Sequence, residues 1–234
     1  MKKKFIIITI SVLLTFIISF FIYVNDYYKA IDISDYITSN EKVKINKTND
    51  GYYFDGEGKN NLIIMYPGAK VDYLSYAPLL YKLAMNGIDC FIVKMPFNIA
   101  FFGINKGNDI IKKYNYEHYY VVGHSLGGVV LTSFINNNQN IDGIIYLASY
   151  PNKKVNIKMI SIYGDNDKIL NMDSYNNNKK YWSNDSKEII IKGGNHSSFA
   201  SYGLQKGDGK YLLDNNEQID ITVKEIINFI DDKG

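Results

Sequence analysis

The sequence predicts an α/β fold, a mostly parallel eight-stranded sheet with helices on both faces, preceded by one N-terminal transmembrane helix. Three observations carry that prediction. Residues 5–24 are an uncharged run dominated by Ile, Phe, Leu and Val. Downstream, eight short apolar runs recur with helical spacing between most of the later ones, the pattern of βα units that build a parallel sheet. Between one such strand and one such helix lies Gly123-His124-Ser125-Leu126-Gly127, a G-x-S-x-G sequence on a strand-to-helix turn.

The apolar run follows Met1-Lys2-Lys3-Lys4. A helix over residues 5–24 would span about 30 Å, the thickness of a bilayer's hydrocarbon core. A cleaved signal peptide has a shorter apolar region and a small-x-small cleavage site. Phe20-Phe21-Ile22-Tyr23-Val24 offers no small residue there, and no cysteine lies nearby for lipid attachment. The expected reading is an uncleaved single-pass anchor over 1–24, with secretion after signal cleavage as the alternative. The positive-inside rule keeps the lysines cytoplasmic and places the body of the chain outside the cell membrane. Residues 25–41 form a polar juncture, and 42–234 suffice for one domain with a sizeable core.

Within that domain the strand-like runs are 43–47, 52–55, 62–66, 88–94, 119–122, 143–148, 158–163 and 188–192. Helical spacing falls at 73–85, 107–114, 126–136 and 218–231. The first two or three runs have no helix between them, which predicts an antiparallel start to the sheet.

The turn at Ser125 is where the chemistry concentrates. A serine on a sharp strand-to-helix turn has its Oγ pushed clear of the backbone, and glycines flank it where a Cβ would not fit. Its hydroxyl is a poor nucleophile at neutral pH, so it needs a base, and the base needs an orienting acid. The chain has three histidines. His118, just before a strand, reads as a surface residue, and His124, inside the turn, reads as packing. His196, in the loop Lys192-Gly193-Gly194-Asn195-His196-Ser197, remains as the candidate base. The acid is expected at the end of a strand between the two, where Gly164-Asp165-Asn166-Asp167 follows 158–163; two aspartates compete. Pro67-Gly68-Ala69-Lys70 breaks the chain after 62–66. The backbone N–H groups of Ala69 and of Leu126 are the candidate oxyanion donors, each worth roughly 3 kcal/mol in comparable sites.

These pieces together resemble the α/β-hydrolase superfamily. More narrowly they are similar to the compact, capless bacterial group called α/β-hydrolase family 5, related to dienelactone-hydrolase-like proteins. The matching stretches are Tyr66-Pro67-Gly68-Ala69-Lys70-Val71, Met95 to Phe102, Gly123 to Gly128, Ala148-Ser149-Tyr150-Pro151, Ser161 to Asp167, Gly193-Gly194-Asn195-His196 and Tyr202 to Gly209. The resemblance implies Ser125 as nucleophile, His196 as base and Asp167 as acid. In such hydrolases the acid follows a strand as G-x-x-D, which leaves Asp165 to serve the turn. Dienelactone hydrolases carry a cysteine nucleophile where this chain has serine, so their lactone substrate is not implied. Residues 148–158 leave no room for the lid that many relatives insert there. An open pocket is expected, edged by the aromatic loop 96–102 and the glycine-rich loop 199–209. That suits small or exposed acyl groups and argues against a lid-gated triglyceride lipase.

The rest narrows the field. The formal net charge is +2 with charges interleaved, which gives a nucleic-acid partner no support. The one cysteine, Cys90, sits in an apolar strand and reads as a small buried hydrophobe. No histidine, cysteine or carboxylate spacing calls for a metal, and Gly207-Asp208-Gly209-Lys210 lacks the first half of a phosphate-binding loop and reads as a turn. No cofactor is expected. Two classes remain. One is a membrane-tethered serine hydrolase acting on carboxylic esters, with an amidase or thioesterase using the same residues as its alternative. The other is a non-catalytic binding protein of the same fold at the cell surface.

Overall fold

The computed structural model describes residues 2–58, 60–138 and 140–232. Met1 of the predicted anchor and the last two residues of the predicted domain lie outside the described residues. Eight strands form one sheet: β1 (Lys44–Lys47), β2 (Gly51–Asp55), β3 (Asn61–Tyr66), β4 (Asp89–Val93), β5 (His118–His124), β6 (Gly143–Leu147), β7 (Lys158–Gly164) and β8 (Ser186–Ile191). Their order is β1-β2-β4-β3-β5-β6-β7-β8. β1 pairs antiparallel with β2, and β2 antiparallel with β4. Every pairing from β4 onward through β3 to β8 is parallel.

The helices are α1 (Lys2–Asn25), α2 (Ala77–Met85), α3 (Lys106–Lys113), α4 (Leu126–Ile135), α5 (Met172–Asn178) and α6 (Asn215–Asp231). The central strands read as continuous apolar runs because both faces of the sheet are covered. Along β3, Ile63 and Met65 join a core with Leu79, Leu80 and Leu83 of α2 and Ile219, Ile226 and Phe229 of α6. Leu62, Ile64 and Tyr66 alternate to the other face, where Ile110 of α3 and Leu131 and Phe134 of α4 close a second core. Cys90 is fully buried, and burial pushes its thiol well above the usual range.

Local signals fix the helix ends. Asp214 and Glu217 form a capping box on α6, satisfying two otherwise orphaned amides. The predicted helix over 73–85 starts instead as a 3₁₀ turn, Tyr73–Tyr76, capped by Asp72, and becomes α-helical only at Ala77 with Pro78 in its first turn. α5 was not expected, because Asp173, Asn176, Asn177 and Asn178 give it no apolar period. Asn171 caps its first turn, and one large side chain anchors it. Tyr175 is fully buried, and its hydroxyl bonds Ser161 at 2.8 Å and Glu188 at 3.0 Å.

α1 stands apart from both cores. It is long and apolar enough to cross a membrane, as a signal sequence would also be, and its buried residue is Val24 near its end. Thr9 and Thr15 donate their hydroxyls to the carbonyls of Phe5 and Ser11 one turn back, so neither exposes an unpaired donor to an apolar surround.

A tight junction at the C-terminal edge of the sheet is at Gly164, the last residue of β7, where an added Cβ would stand 2.1 Å from the carbonyl of Gly194. Gly164→Ala should therefore lower unfolding free energy by about 2 kcal/mol or more, read as a drop in the urea midpoint. An unchanged midpoint would mean that β7 and the Gly194 loop can separate freely.

Candidate active site

Ser125 sits between β5 and α4 with φ 50° and ψ −123°. A non-glycine residue in that region stores roughly 1–3 kcal/mol and persists only where its surroundings over-determine it. Here they do. Ser125 N–H donates to Leu147 O at 3.0 Å, continuing the sheet ladder, and its carbonyl accepts from the Ser149 hydroxyl at 2.7 Å. The flanking glycines answer to close approach. A Cβ on Gly123 would lie 2.4 Å from Gly128 Cα, one on Gly127 2.3 Å from Tyr66 O, and one on Gly128 2.5 Å from Ser149 Oγ.

His196 lies in the loop after β8 and is buried. Its Nδ1 bonds Asp167 Oδ2 at 2.8 Å. The other Asp167 oxygen accepts the amides of Ile169 and Leu170, each at 2.8 Å. A carboxylate accepts only, so Nδ1 carries the proton and Nε2 is left as an acceptor. Asp165 goes elsewhere: its Oδ1 accepts the Gly193 amide at 2.7 Å, tying the β7 turn to the β8 loop. Ser125 and His196 line one cavity of about 240 Å3, walled by Leu126, Val129, Ala148–Tyr150 and Ile169–Asn171. The aromatic loop 96–102 and the loop 199–209 do not line it. The sequence expectation for the pocket's edges is corrected on that point, because the turns after β6 and β7 lie nearer in sheet order.

Ala69 and Leu126 occupy the ends of β3 and β5, adjacent strands in the sheet. Among the described residues neither amide donates to a protein acceptor. Leu126 walls the cavity with Ser125, whereas Ala69 does not. His118 is half-exposed and faces Asp142 at 3.3 Å. Among the described residues no group of three or more His, Cys, Asp or Glu is arranged to hold a metal ion.

Several residues that hold the site give little sign of it in the sequence. Asp208, read as part of a turn, accepts the amides of Ser197 at 2.8 Å and His196 at 3.3 Å and the Ser197 hydroxyl at 2.6 Å. Gln218, fully buried on α6, accepts the Asn195 amide at 3.0 Å and donates back to Asn195 O at 2.8 Å. The available signal was an aspartate between two glycines shortly after the candidate base. For Gln218 there was none, since its partner is 23 residues away.

His124 does more than pack. Its Nε2 faces His196 O at 3.1 Å and its Nδ1 faces the Tyr76 hydroxyl at 2.7 Å. A carbonyl only accepts, so Nε2 holds the proton, Nδ1 accepts from Tyr76 O–H, and that hydroxyl accepts the Gly68 amide at 2.9 Å. This directed chain joins the His196 loop to the loop that carries Ala69. Burial, with a further push from His196, holds His124 well below its usual range.

Comparison with known proteins places this geometry. A family model described as the alpha/beta hydrolase family matches residues 62–220. The fold is shared with TT1662 from Thermus thermophilus, at 9% identity and TM-score 0.62, over 82% of this chain and 100% of that one. Mouse alpha/beta hydrolase domain-containing protein 10 matches at 14% identity and TM-score 0.57, over 82% and 100%. The Cif epoxide hydrolase from Acinetobacter nosocomialis matches at 11% identity and TM-score 0.57, over 83% and 91%. No curated protein sequence matches the chain.

The neutral His124 has a consequence for stability. Unfolded, it takes up a proton below its ordinary value of 6.5, whereas folded it does not. Its share of stability is present above pH 6.5 and lost as pH falls from there toward the depressed folded value, by up to about 1.4 kcal/mol per pH unit. Urea unfolding of wild type between pH 7 and 5 should show that slope, and His124→Gln should flatten it. A variant with the full wild-type slope would place the titration elsewhere.

Proposed function

The chain belongs to the alpha/beta hydrolase family, and from that premise we propose that it is a serine hydrolase working through an acyl-enzyme. The observation that carries the reading is the 2.8 Å bond between His196 Nδ1 and Asp167 Oδ2, made beside a cavity that His196 shares with Ser125. With Nδ1–H held by the carboxylate, Nε2 is the free base. It takes the Ser125 proton as Oγ attacks the acyl carbonyl, and Asp167 stabilises the imidazolium that forms. The same nitrogen then returns the proton to the leaving alcohol. Water, deprotonated in turn by His196, breaks the acyl–Ser125 bond and releases the acid.

The oxyanion is assigned to the amides of Leu126 and Ala69. Leu126 lies in the first turn of α4, where N–H groups have no helical acceptor and the helix dipole favours negative charge. Ala69 stands between Gly68 and Lys70, whose amides are occupied by the Tyr76 hydroxyl and Asn98 O, which leaves Ala69 as the unpaired donor of these three. Carboxylic esters are the proposed substrates, because an alkoxide leaves with less assistance than an amine. The cavity of about 240 Å3 is below the roughly 300–1,000 Å3 of pockets for drug-sized ligands, which fits a short or terminal acyl group.

For location, we assign α1 as an uncleaved anchor, with Lys2, Lys3 and Lys4 cytoplasmic and the domain outside. One observation favours retention over cleavage. The last turns of α1 pack on the domain, Phe20 against Phe97 at a ring distance of 5.2 Å, and Val24 is buried there.

Ser125→Ala should abolish labelling by a fluorophosphonate and lower kcat on p-nitrophenyl esters by about 10^3-fold or more without changing the thermal midpoint. Asp167→Asn should cost about 10^4 in kcat through the wrong histidine tautomer, whereas Asp165→Asn should stay within about ten-fold. Wild-type protein that neither labels nor turns over any ester, thioester or amide would favour the non-catalytic binding protein instead.

A further inference from the structure

We propose that the C-terminal edge of the sheet is a membrane-facing surface, so that the ester hydrolysed at Ser125 is an amphiphile drawn from the bilayer that holds α1. The proposal rests on the reading of Ser125 as nucleophile and of α1 as anchor.

The first observation is where α1 docks. Its end could have met any part of the domain, and it meets the loops after β3 and β4. Tyr28 forms a bridge with Val71, its amide donating to Lys70 O at 2.9 Å and its carbonyl accepting from Asp72 N–H at 2.8 Å. Lys70 pairs with Asp26 at 3.1 Å and lies 4.3 Å over the Tyr23 ring. Between β4 and β5 the sheet interposes only β3. At about 4.8 Å per strand, β5, which leads into Ser125, is on the order of 10 Å along the sheet from β4, whose following loop α1 touches.

The second observation is depth. Phe20 packs on Phe97 and Phe102, and Phe21 on Phe97, with ring distances of 5.2, 6.3 and 6.3 Å. Phe20 stands four residues before the end of the uncharged run, about 6 Å inside the span at 1.5 Å per residue. A loop that touches Phe20 therefore lies at the depth of the headgroup and upper acyl region, not beyond it. Tyr23, Tyr27 and Tyr28 follow at the exit with Lys29, the aromatic and cationic residues that favour such an interface.

The third observation is what the loop exposes there. Phe97, Phe101 and Phe102 are 43%, 64% and 50% exposed. Three adjacent aromatic rings facing water are unfavourable, and the same rings inserted beside α1 are not. Leu204 and Leu212 are also exposed, on the 200–214 loop, which reaches the same anchor end through Lys206 N–H to the Tyr28 hydroxyl at 2.9 Å. The acyl ester bond of a lipid-like amphiphile sits at this level of a bilayer. Its acyl carbon would bond Ser125 Oγ as its alcohol leaves, and water would then release the carboxylic acid.

The full-length chain in phosphatidylcholine proteoliposomes tests this in two ways. In a Trp182→Phe background, the fluorescence introduced by Phe101→Trp should be quenched about two-fold or more by a headgroup-proximal nitroxide lipid. No quenching by the lipid overturns the proposal. Separately, Phe101→Ser with Phe102→Ser should slow hydrolysis of a vesicle-borne long-chain ester about ten-fold while leaving water-soluble p-nitrophenyl acetate within about two-fold. Equal effects on both esters overturn it. If Ser125→Ala retains turnover of both, the hydrolase reading fails, whereas the quenching result still decides the orientation.

Discussion

The close approach of β5 and α4 around Ser125 is the constraint on which the rest of the candidate site depends. To place Oγ at the tip of the sheet, the chain must reverse in one residue, and Ser125 adopts φ 50° to do so. Helix and strand then touch backbone to backbone at Gly123 and Gly128, and the helix reaches across to the Tyr66 carbonyl at Gly127. The strain does not stop there. Lys70, Phe97, Asn98 and Ala148, at the ends of β3, β4 and β6, also carry positive φ without being glycine. Backbone strain of this kind collects where a scaffold must aim groups rather than merely connect elements.

A loop histidine poses a different problem, since no regular structure holds it. A general base must be kept within about 0.5 Å of its working position. His196 is held by neighbours on separate elements. Asp167 holds the ring, Asp208 the backbone on either side of the loop's turn, and Gln218 of α6 brackets Asn195 from both its amide and its carbonyl. His124 then ties the His196 carbonyl, through Tyr76, to Gly68. The His196 loop and the loop that carries Gly68 and Ala69 are thus coupled through His124 and Tyr76.

This distribution explains what the sequence disclosed. The central strands β3 to β7 were legible because each is a short apolar run bounded by polar turns, and their covered faces leave no alternation to misread; at the margins, exposed β1 and β8 were found through Val43 and the Ile189–Ile191 run. The turn at Ser125 was legible because its glycines are local answers to a local clash. Asp167 and Asp165 could be separated only by a family pattern, and their bonds to His196 and Gly193 depend on where a distant loop returns. α5 escaped notice because it is anchored by one buried tyrosine and the Asn171 cap rather than by a periodic apolar face. Tyr76 and Gln218 escaped because their partners are remote in sequence. The cavity's walls were misassigned for a similar reason, since loop order around the edge follows sheet order and not chain order.

The path between α1 and β1 bears on why anchor and site share an edge. β1 is antiparallel to β2, which is antiparallel to β4, so β1 begins at the edge opposite Ser125. α1 nevertheless ends at the same edge as Ser125, beside Lys70 and Val71. The juncture must then run the full depth of the sheet before the first strand can start. It does so along α2, which descends the same way: Tyr36 packs on Tyr81 at a ring distance of 5.6 Å, and Asn40 bonds the Tyr81 hydroxyl and meets Met85 Sδ near the helix end. A plain tether would need none of this, because a helix leading directly into β1 would hang the domain by its other edge with fewer ordered residues. Ordering an extended segment costs about 1–2 kcal/mol per residue in backbone entropy. A packed strap of this length is consistent with a chain in which the edge turned toward α1, and not attachment alone, is what the N-terminal segment determines.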